Sequence, residues 1–268
     1  MKSRTNGVFE KREGGIDLNV FVIKGKLLIS ICIAAAIIGF GLGGGTAVGV
    51  FNTGKRDLPL YSVERNDSRV SITFNCAWGD EDIDSILKSL ENYNQKATFF
   101  IVGEWAEKYP DSLKKIHSAG HEIGTHSYNH RDYTKITSKE LIEDIKKCDD
   151  IIFSIIGETP KLVRTPSGAY NNSVVKAVES LDKVCVQWSV DSIDYNDASV
   201  QDIYSRSVEK IANGDILLLH TGTKNTATAL PRILDNISSR FDPVIVSELM
   251  YHEDYYVDNT GRMFSKSG

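Results

Sequence analysis

The sequence is poor in cysteine, and its four cysteines follow no pairing pattern: Cys32 lies in an apolar run and Cys76, Cys148 and Cys185 are scattered. That excludes a disulfide-built scaffold and leaves the redox compartment unread. Positive charge is not in excess either, since 31 Lys and Arg stand against 36 Asp and Glu for a net charge of -5. Such a balance provides no electrostatic reason to bind nucleic acid. There is no internal repeat and no low-complexity tract.

Long uncharged runs are absent with one exception. Residues 27–51 contain no Asp, Glu, Lys or Arg. At 1.5 Å per residue a helix of that length crosses a hydrocarbon core of roughly 30 Å. Lys2, Arg4, Lys11, Arg12, Lys24 and Lys26 precede the run, and Lys55 and Arg56 follow it. This asymmetry predicts a cytoplasmic tail at 1–26, a membrane helix at 27–51 and an exported C-terminal part. A cleaved signal peptide is the alternative, with Ala47, Val48 and Gly49 as a small-residue cleavage site. The long polar leader and the long apolar run favour an uncleaved anchor. Residues 52–68 read as a polar linker, 69–250 as the folded domain and 251–268 as a polar tail.

Within 69–250, strand-like and helix-like segments alternate. Strands are expected at 70–74, 97–102, 122–125, 162–165, 184–188, 216–219 and 244–246, and helices at 82–93, 104–119, 138–156, 173–181, 200–212 and 226–239. In the helix 138–156, Leu141, Ile142, Ile145, Cys148, Ile151, Ile152 and Ile155 fall on one broad face. Short strands mostly followed by helices imply an α/β fold with a mainly parallel sheet, either closed as a (β/α) barrel or open and doubly wound. In a barrel, chemistry gathers at the C-terminal ends of the strands.

The polar residues of interest stand at such ends. They are Thr73-Phe74-Asn75-Cys76-Ala77-Trp78-Gly79-Asp80, then His126 to His130, then Arg164-Thr165-Pro166-Ser167-Gly168-Ala169-Tyr170, then Asp191 to Tyr195, and finally Leu218-Leu219-His220. His126 and His130 are four apart, so a helical segment would place both rings on one face where they could share a metal. The same spacing fits two unrelated histidines. His121-Glu122 precedes His126, but the zinc-protease helix pattern needs its second His one position earlier, and a strand separates them. His220 ends an apolar strand and reads either as a core histidine or, with Asp194 on one ring nitrogen, as a general acid. Arg164 pairs with an acid of the same rim or makes an ordinary surface ion pair.

Taken together and in this order, these motifs resemble the polysaccharide deacetylases with the NodB homology domain, over about 69–250. The TFNCAWG form of the first motif is most similar to the sporulation-associated, PdaB-type branch. The resemblance implies a distorted (β/α) barrel and a carbohydrate N-deacetylase acting on cell-wall or spore-wall amino sugars, peptidoglycan among them. It implies a divalent metal, most often zinc, on one first-motif Asp and on the histidines matching His126 and His130. It also implies an oxyanion donor at Ser167 after Pro166, an Asp194–His220 pair protonating the leaving amine, Leu218 against the acetyl methyl, and Arg164 bracing the acidic wall. Tyr170 and Asp191 join the substrate-binding set. The departure is that Asn75 and Cys76 stand where the family has two aspartates. Asn cannot accept a proton at neutral pH. Cys76 is a candidate thiolate ligand or an inert buried thiol, and Asp80 or Asp82 a candidate replacement base or ligand. Two functions follow: a membrane-tethered deacetylase, or a glycan-binding descendant without turnover, with Tyr128, Trp188 and Tyr195 as sugar-stacking faces.

Overall fold

The computed structural model describes residues 57–266. Strand β1 is Ser62–Val63, β2 Arg69–Cys76, β3 Thr98–Ile101, β4 Glu122–Thr125, β5 Leu162–Val163, β6 Val184–Cys185, β7 Val190–Asp191, β8 Ile216–His220, β9 Asp242–Pro243, β10 Tyr255–Val257 and β11 Arg262–Ser265. The main sheet runs β6-β5-β4-β3-β2-β8-β7, with β9 beside the start of β2. Every pairing in it is parallel. Parallel strands covered on both faces read as continuous apolar runs, and β2 and β8 are buried along almost their whole length. Within the main sheet β6 and β7 are edge strands, so it is a curved parallel sheet with helices, as in a (β/α) barrel that has not closed.

The helices are amphipathic pieces that cover the sheet. Helix α1 is Ile83–Asn92, α2 Gly103–Lys108, α3 Pro110–Ser118, α4 Ser138–Ile156, α5 Asn172–Glu179, α6 Val200–Val208, α7 Thr226–Ser238 and α8 Val246–Leu249. The single helix expected over 104–119 is broken because Pro110 opens a new helix at its first position, where its missing N–H costs nothing. Helix α4 has the expected bounds: Thr137 and Glu140 form a capping box and Gly157, at φ 74°, ends it in the left-handed region. The strand expected at 244–246 is displaced. Asp242–Pro243 pairs with β2 instead, and Val246 begins α8.

The linker and the tail need correction. Leu60 donates its N–H to Cys185 and accepts one from Gln187, so it pairs alongside β6. Residues Tyr255–Val257 and Arg262–Ser265 form an antiparallel hairpin whose second strand lies parallel to β1. Met263 is buried in one cluster with Leu60, Val63, Phe100 and Leu249. These segments escaped a periodicity reading because each contributes only two to four paired residues. No helix among the described residues is long and apolar enough to cross a membrane. The run 27–51 lies outside them.

Met263→Ala is expected to lower the unfolding free energy by about 2–4 kcal/mol, since it empties a buried site. Urea denaturation within about 0.5 kcal/mol of the parent would show that the hairpin is not part of the core.

Candidate active site

Strand alternation decides what the first motif offers. Successive side chains of β2 point to opposite faces. Thr73 and Asn75 face inward, where Thr73 donates to the Leu217 carbonyl at 2.7 Å and Asn75 lines a cavity of about 220 Å³. Phe74 and Cys76 face the helices and belong to the core with Ile86 and Leu90. Cys76 is fully buried there, and burial pushes its thiol up, away from thiolate. The structure therefore does not bring Cys76 to the site, and the residue following it, Ala77, lines the cavity instead.

The cavity is also lined by Trp78, His126, His130, Ser167, Trp188, Tyr195, Leu218 and His220. His126 and His130 come together, with ring centroids 5.1 Å apart, on a loop and not on a helix. Ser127 at φ 70° and His130 at φ 58° are left-handed and turn the chain back on itself. Buried Asp144 of α4 fixes this loop by accepting the Tyr128 N–H at 2.9 Å and the Tyr133 hydroxyl at 2.6 Å. His126 sets its Nδ1 2.8 Å from the Arg164 carbonyl. A carbonyl only accepts, so Nδ1 carries the proton and Nε2 keeps its lone pair. Burial, then the neighbouring His130, holds His126 well below the usual imidazole range, and burial followed by His220 lowers His130.

On the opposite side, His220 Nδ1 lies 2.7 Å from Asp194 Oδ1. The other carboxylate oxygen of Asp194 accepts the His220 backbone N–H at 2.7 Å and the Thr226 hydroxyl at 2.6 Å. This fixes the ring and directs Nε2 away from the acid. Trp78 and Tyr195, each about half exposed, set their rings 5.3 and 5.2 Å from that of His220. Trp78 was not singled out in the sequence; its place two residues after Cys76, at the end of β2, was the available signal.

Arg164 lies behind the cavity wall and is fully buried. It donates to Thr73 Oγ1 at 2.9 Å, Asn75 Oδ1 at 3.0 Å and the Gln187 carbonyl at 3.0 Å. Its guanidinium carbon sits 4.0 Å from the centre of the Phe100 ring. No ion pair to it is found among the described residues, and burial lowers its pKa to about 9. Because Asn75 Oδ1 is taken by Arg164, the Asn75 amide presents Nδ2, a donor, toward His220 Nε2 at 3.5 Å. Where a carboxylate would accept, this side chain donates.

The remaining candidates are placed elsewhere. Asp80 accepts from Ser112 at 2.7 Å and Asp82 from the Gly222 N–H at 2.9 Å, and neither lines the cavity. Gly222, at φ 69°, has no room for a side chain: a Cβ would meet the Gly79 nitrogen at 2.4 Å, so two loops of the rim touch through backbone. Pro166 and Ser167 form a single 3-10 turn with Ser167 at φ 54°. Tyr170 packs edge-on against Tyr61, and Asp191 accepts from Trp188 Nε1 at 3.2 Å and the Ile193 N–H at 2.8 Å. Tyr128 does not line the cavity: it packs against the core, with its hydroxyl donating to Glu107 and Lys147 over its ring. Among the described residues no three His, Cys, Asp or Glu side chains gather as a metal set. Two imidazoles of the implied set are present, and the third position offers an amide whose oxygen is already committed, so the residues do not make that set.

Burial pushes the Asp82 carboxyl up to about 6. A folded pKa above the unfolded value of about 3.9 means that the stabilising contribution is present below about pH 4 and is lost as pH rises through about 6. Asp82→Asn keeps the acceptor for Gly222 and removes the ionisation. It is expected to exceed the parent in stability by about 1–2 kcal/mol at pH 7, after allowance for solvent screening, and to match it near pH 4. Parallel stability profiles for the two proteins would contradict this.

Comparison with known proteins gives the following likenesses. The family model for polysaccharide deacetylase matches residues 62–186. Uncharacterized protein YlxY of Bacillus subtilis is 34% identical over 193 residues, 72% of this chain and 60% of its own length. The chain thus spans about three-fifths of that relative. A peptidoglycan-N-acetylglucosamine deacetylase of Bacillus cereus is 30% identical over 199 residues, 72% of this chain and 93% of the relative. The crystal structure of a CE4-family pseudoenzyme from Bacillus anthracis is similar with a TM-score of 0.69 and 29% identity, over 72% of this chain and 69% of that one. A mutant of that pseudoenzyme, described as having restored enzymatic activity, is equally similar.

Proposed function

Because this chain belongs to the polysaccharide deacetylase family, we propose that it is a carbohydrate N-deacetylase of cell-wall glycan whose turnover is limited by Asn75. The observation that carries this reading is the His220–Asp194 pair at 2.7 Å, facing the two histidines across one cavity. Water adds to the acetamide carbonyl and gives up a proton to solvent, since no carboxylate base stands there; imidazolium His220 Nε2 then protonates the amide nitrogen as the C–N bond breaks, releasing acetate and the amino sugar, while Asp194 supports the imidazolium. Leu218 lines the slot for the acetyl methyl, and Ser167 stands where the developing oxyanion is held. Trp78 and Tyr195 offer ring faces beside His220 for the sugar. The family resemblance implies zinc, but the protein supplies only two imidazoles toward it and no carboxylate base, and no step is derived through the metal.

A second reading, recognition of N-acetylated glycan without turnover, is favoured by one observation: the only side-chain group Asn75 has left to turn toward the cavity is a donor. The likeness to a pseudoenzyme supports the same reading. For placement in the cell, the uncharged run 27–51 with its preceding lysines and arginines supports a membrane tether and an extracytoplasmic domain, with signal cleavage as the alternative.

Acetate release from peptidoglycan and from N-acetylglucosamine oligomers, measured with defined zinc, tests the first reading. Slow release is expected from the parent. His220→Ala should lose it, and Asn75→Asp should raise it by ~10²–10⁴-fold, the usual contribution of a positioned base. Glycan binding with no release by the parent would leave the second reading standing. Unchanged release by His220→Ala would remove the acid role.

A further inference from the structure

The cavity described above occupies one end of the main sheet. A second, wider cavity of about 610 Å³ opens at the other end, where Lys96 and His121 stand just before β3 and β4. Helix α1 supplies Lys88, Glu91 and Asn92 to its wall, and Asn94, at φ 51°, turns the chain back toward the sheet. Its chemistry is unlike that of the first cavity, since no Phe, Tyr or Trp lines it. His121 is only 6% exposed, and its Nδ1 accepts the Ala97 N–H at 3.3 Å. Burial, then the Lys96 ammonium, lowers its pKa to about 4, so the ring is neutral and carries its proton on Nε2. That Nε2 has no hydrogen-bond partner among the described residues, and it lies on the edge of the ring away from Ala97, toward the cavity. Lys96 spends one N–H on the Ala119 carbonyl, and among the described residues neither Lys88 nor Lys96 pairs with an acid. Asp84, also in the lining, is held by Lys115 at 2.7 Å.

Two ammonium groups and a fixed imidazole N–H suit an oxyanion with several acceptor oxygens. The cavity is wider than a bare ion requires, and the rest of its lining is amide and carboxylate, which suits hydroxyl groups and not an apolar carrier. We propose that this cavity binds a phosphate ester of a polyol or sugar, with the phosphate on Lys88, Lys96 and His121 Nε2 and the hydroxyls on Glu91, Asn92 and Asn94. The site is separate from the cavity of the proposed deacetylase and needs neither turnover nor metal.

The test is calorimetric titration of the full-length protein, in neutral detergent, with glycerol phosphate. Saturable binding at one site with a Kd of about 1 mM is expected for so small a ligand. His121→Asn keeps an acceptor for the Ala97 N–H and deletes the Nε2 donor, and Lys88→Gln removes a charge from an exposed helix face. Each should raise Kd at least about 5-fold. A glycerol phosphate diester that binds as well as the monoester would identify the source as a polymer of polyol phosphate, and binding of the monoester alone would identify a small molecule. No saturable binding, glycerol or inorganic phosphate binding as tightly as the ester, or parental affinity in Lys88→Gln would overturn the inference. Acetate release from glycan is read separately, so the failure of either reading leaves the other standing.

Discussion

The hydrogen bond from Arg164 to Asn75 Oδ1 is the contact on which the rest of the site depends. It orients the amide, and with it the hydrogen-bonding character of the cavity floor. The same arginine accepts the Nδ1 proton of His126 through its carbonyl, which selects the tautomer of that ring. One residue at the end of β5 thus governs both sides of the first two motifs. It can do so because β5, β4, β3 and β2 are adjacent parallel strands whose C-terminal ends lie on one rim.

The contrast between the two halves of the cavity is chemical. The His220 half is complete: Asp194 has hydrogen-bond partners on both oxygens and holds a ring directed at the cavity. In the other half Asn75 offers no free acceptor, the lone pair there belongs to His126 Nε2, and the nearest strong charge is positive. A fold can keep one half of such an arrangement while the other changes, because each is held by its own strand end and its own loop. Buried Asp144 braces the His130 loop, and Asp82 with the Gly79–Gly222 approach braces the loops beside His220.

Much of this was legible in the residues. The β3 and β8 segments announced themselves as apolar runs and β2 as an alternation of apolar and polar residues, and α4 carried its cap, its stripe and its terminal Gly157. His126, Arg164, Asp194 and His220 could be placed at strand ends because strand and motif adjoin. What was not legible has physical causes. The motif Asn75-Cys76 does not say which of two neighbours faces inward; only the phase of β2 against β3 and β8 does. The pairing of His126 with His130 reads as helical spacing, yet two left-handed residues produce it in a loop. Strand β1 and the β10–β11 hairpin are too short to show a period, and their stability comes from Leu60, Val63 and Met263 meeting across 200 residues of sequence.

The central claim, that Arg164 turns the Asn75 amide so that a donor faces the cavity, is tested most directly by a crystal structure at atomic resolution, where the nitrogen and oxygen of an amide can be told apart. The account predicts Oδ1 on the Arg164 guanidinium and Nδ2 directed at His220, in crystals grown with zinc as well as without. Oδ1 turned into the cavity, with Nδ2 toward Arg164 or an ion held on that oxygen beside His126 and His130, would contradict it.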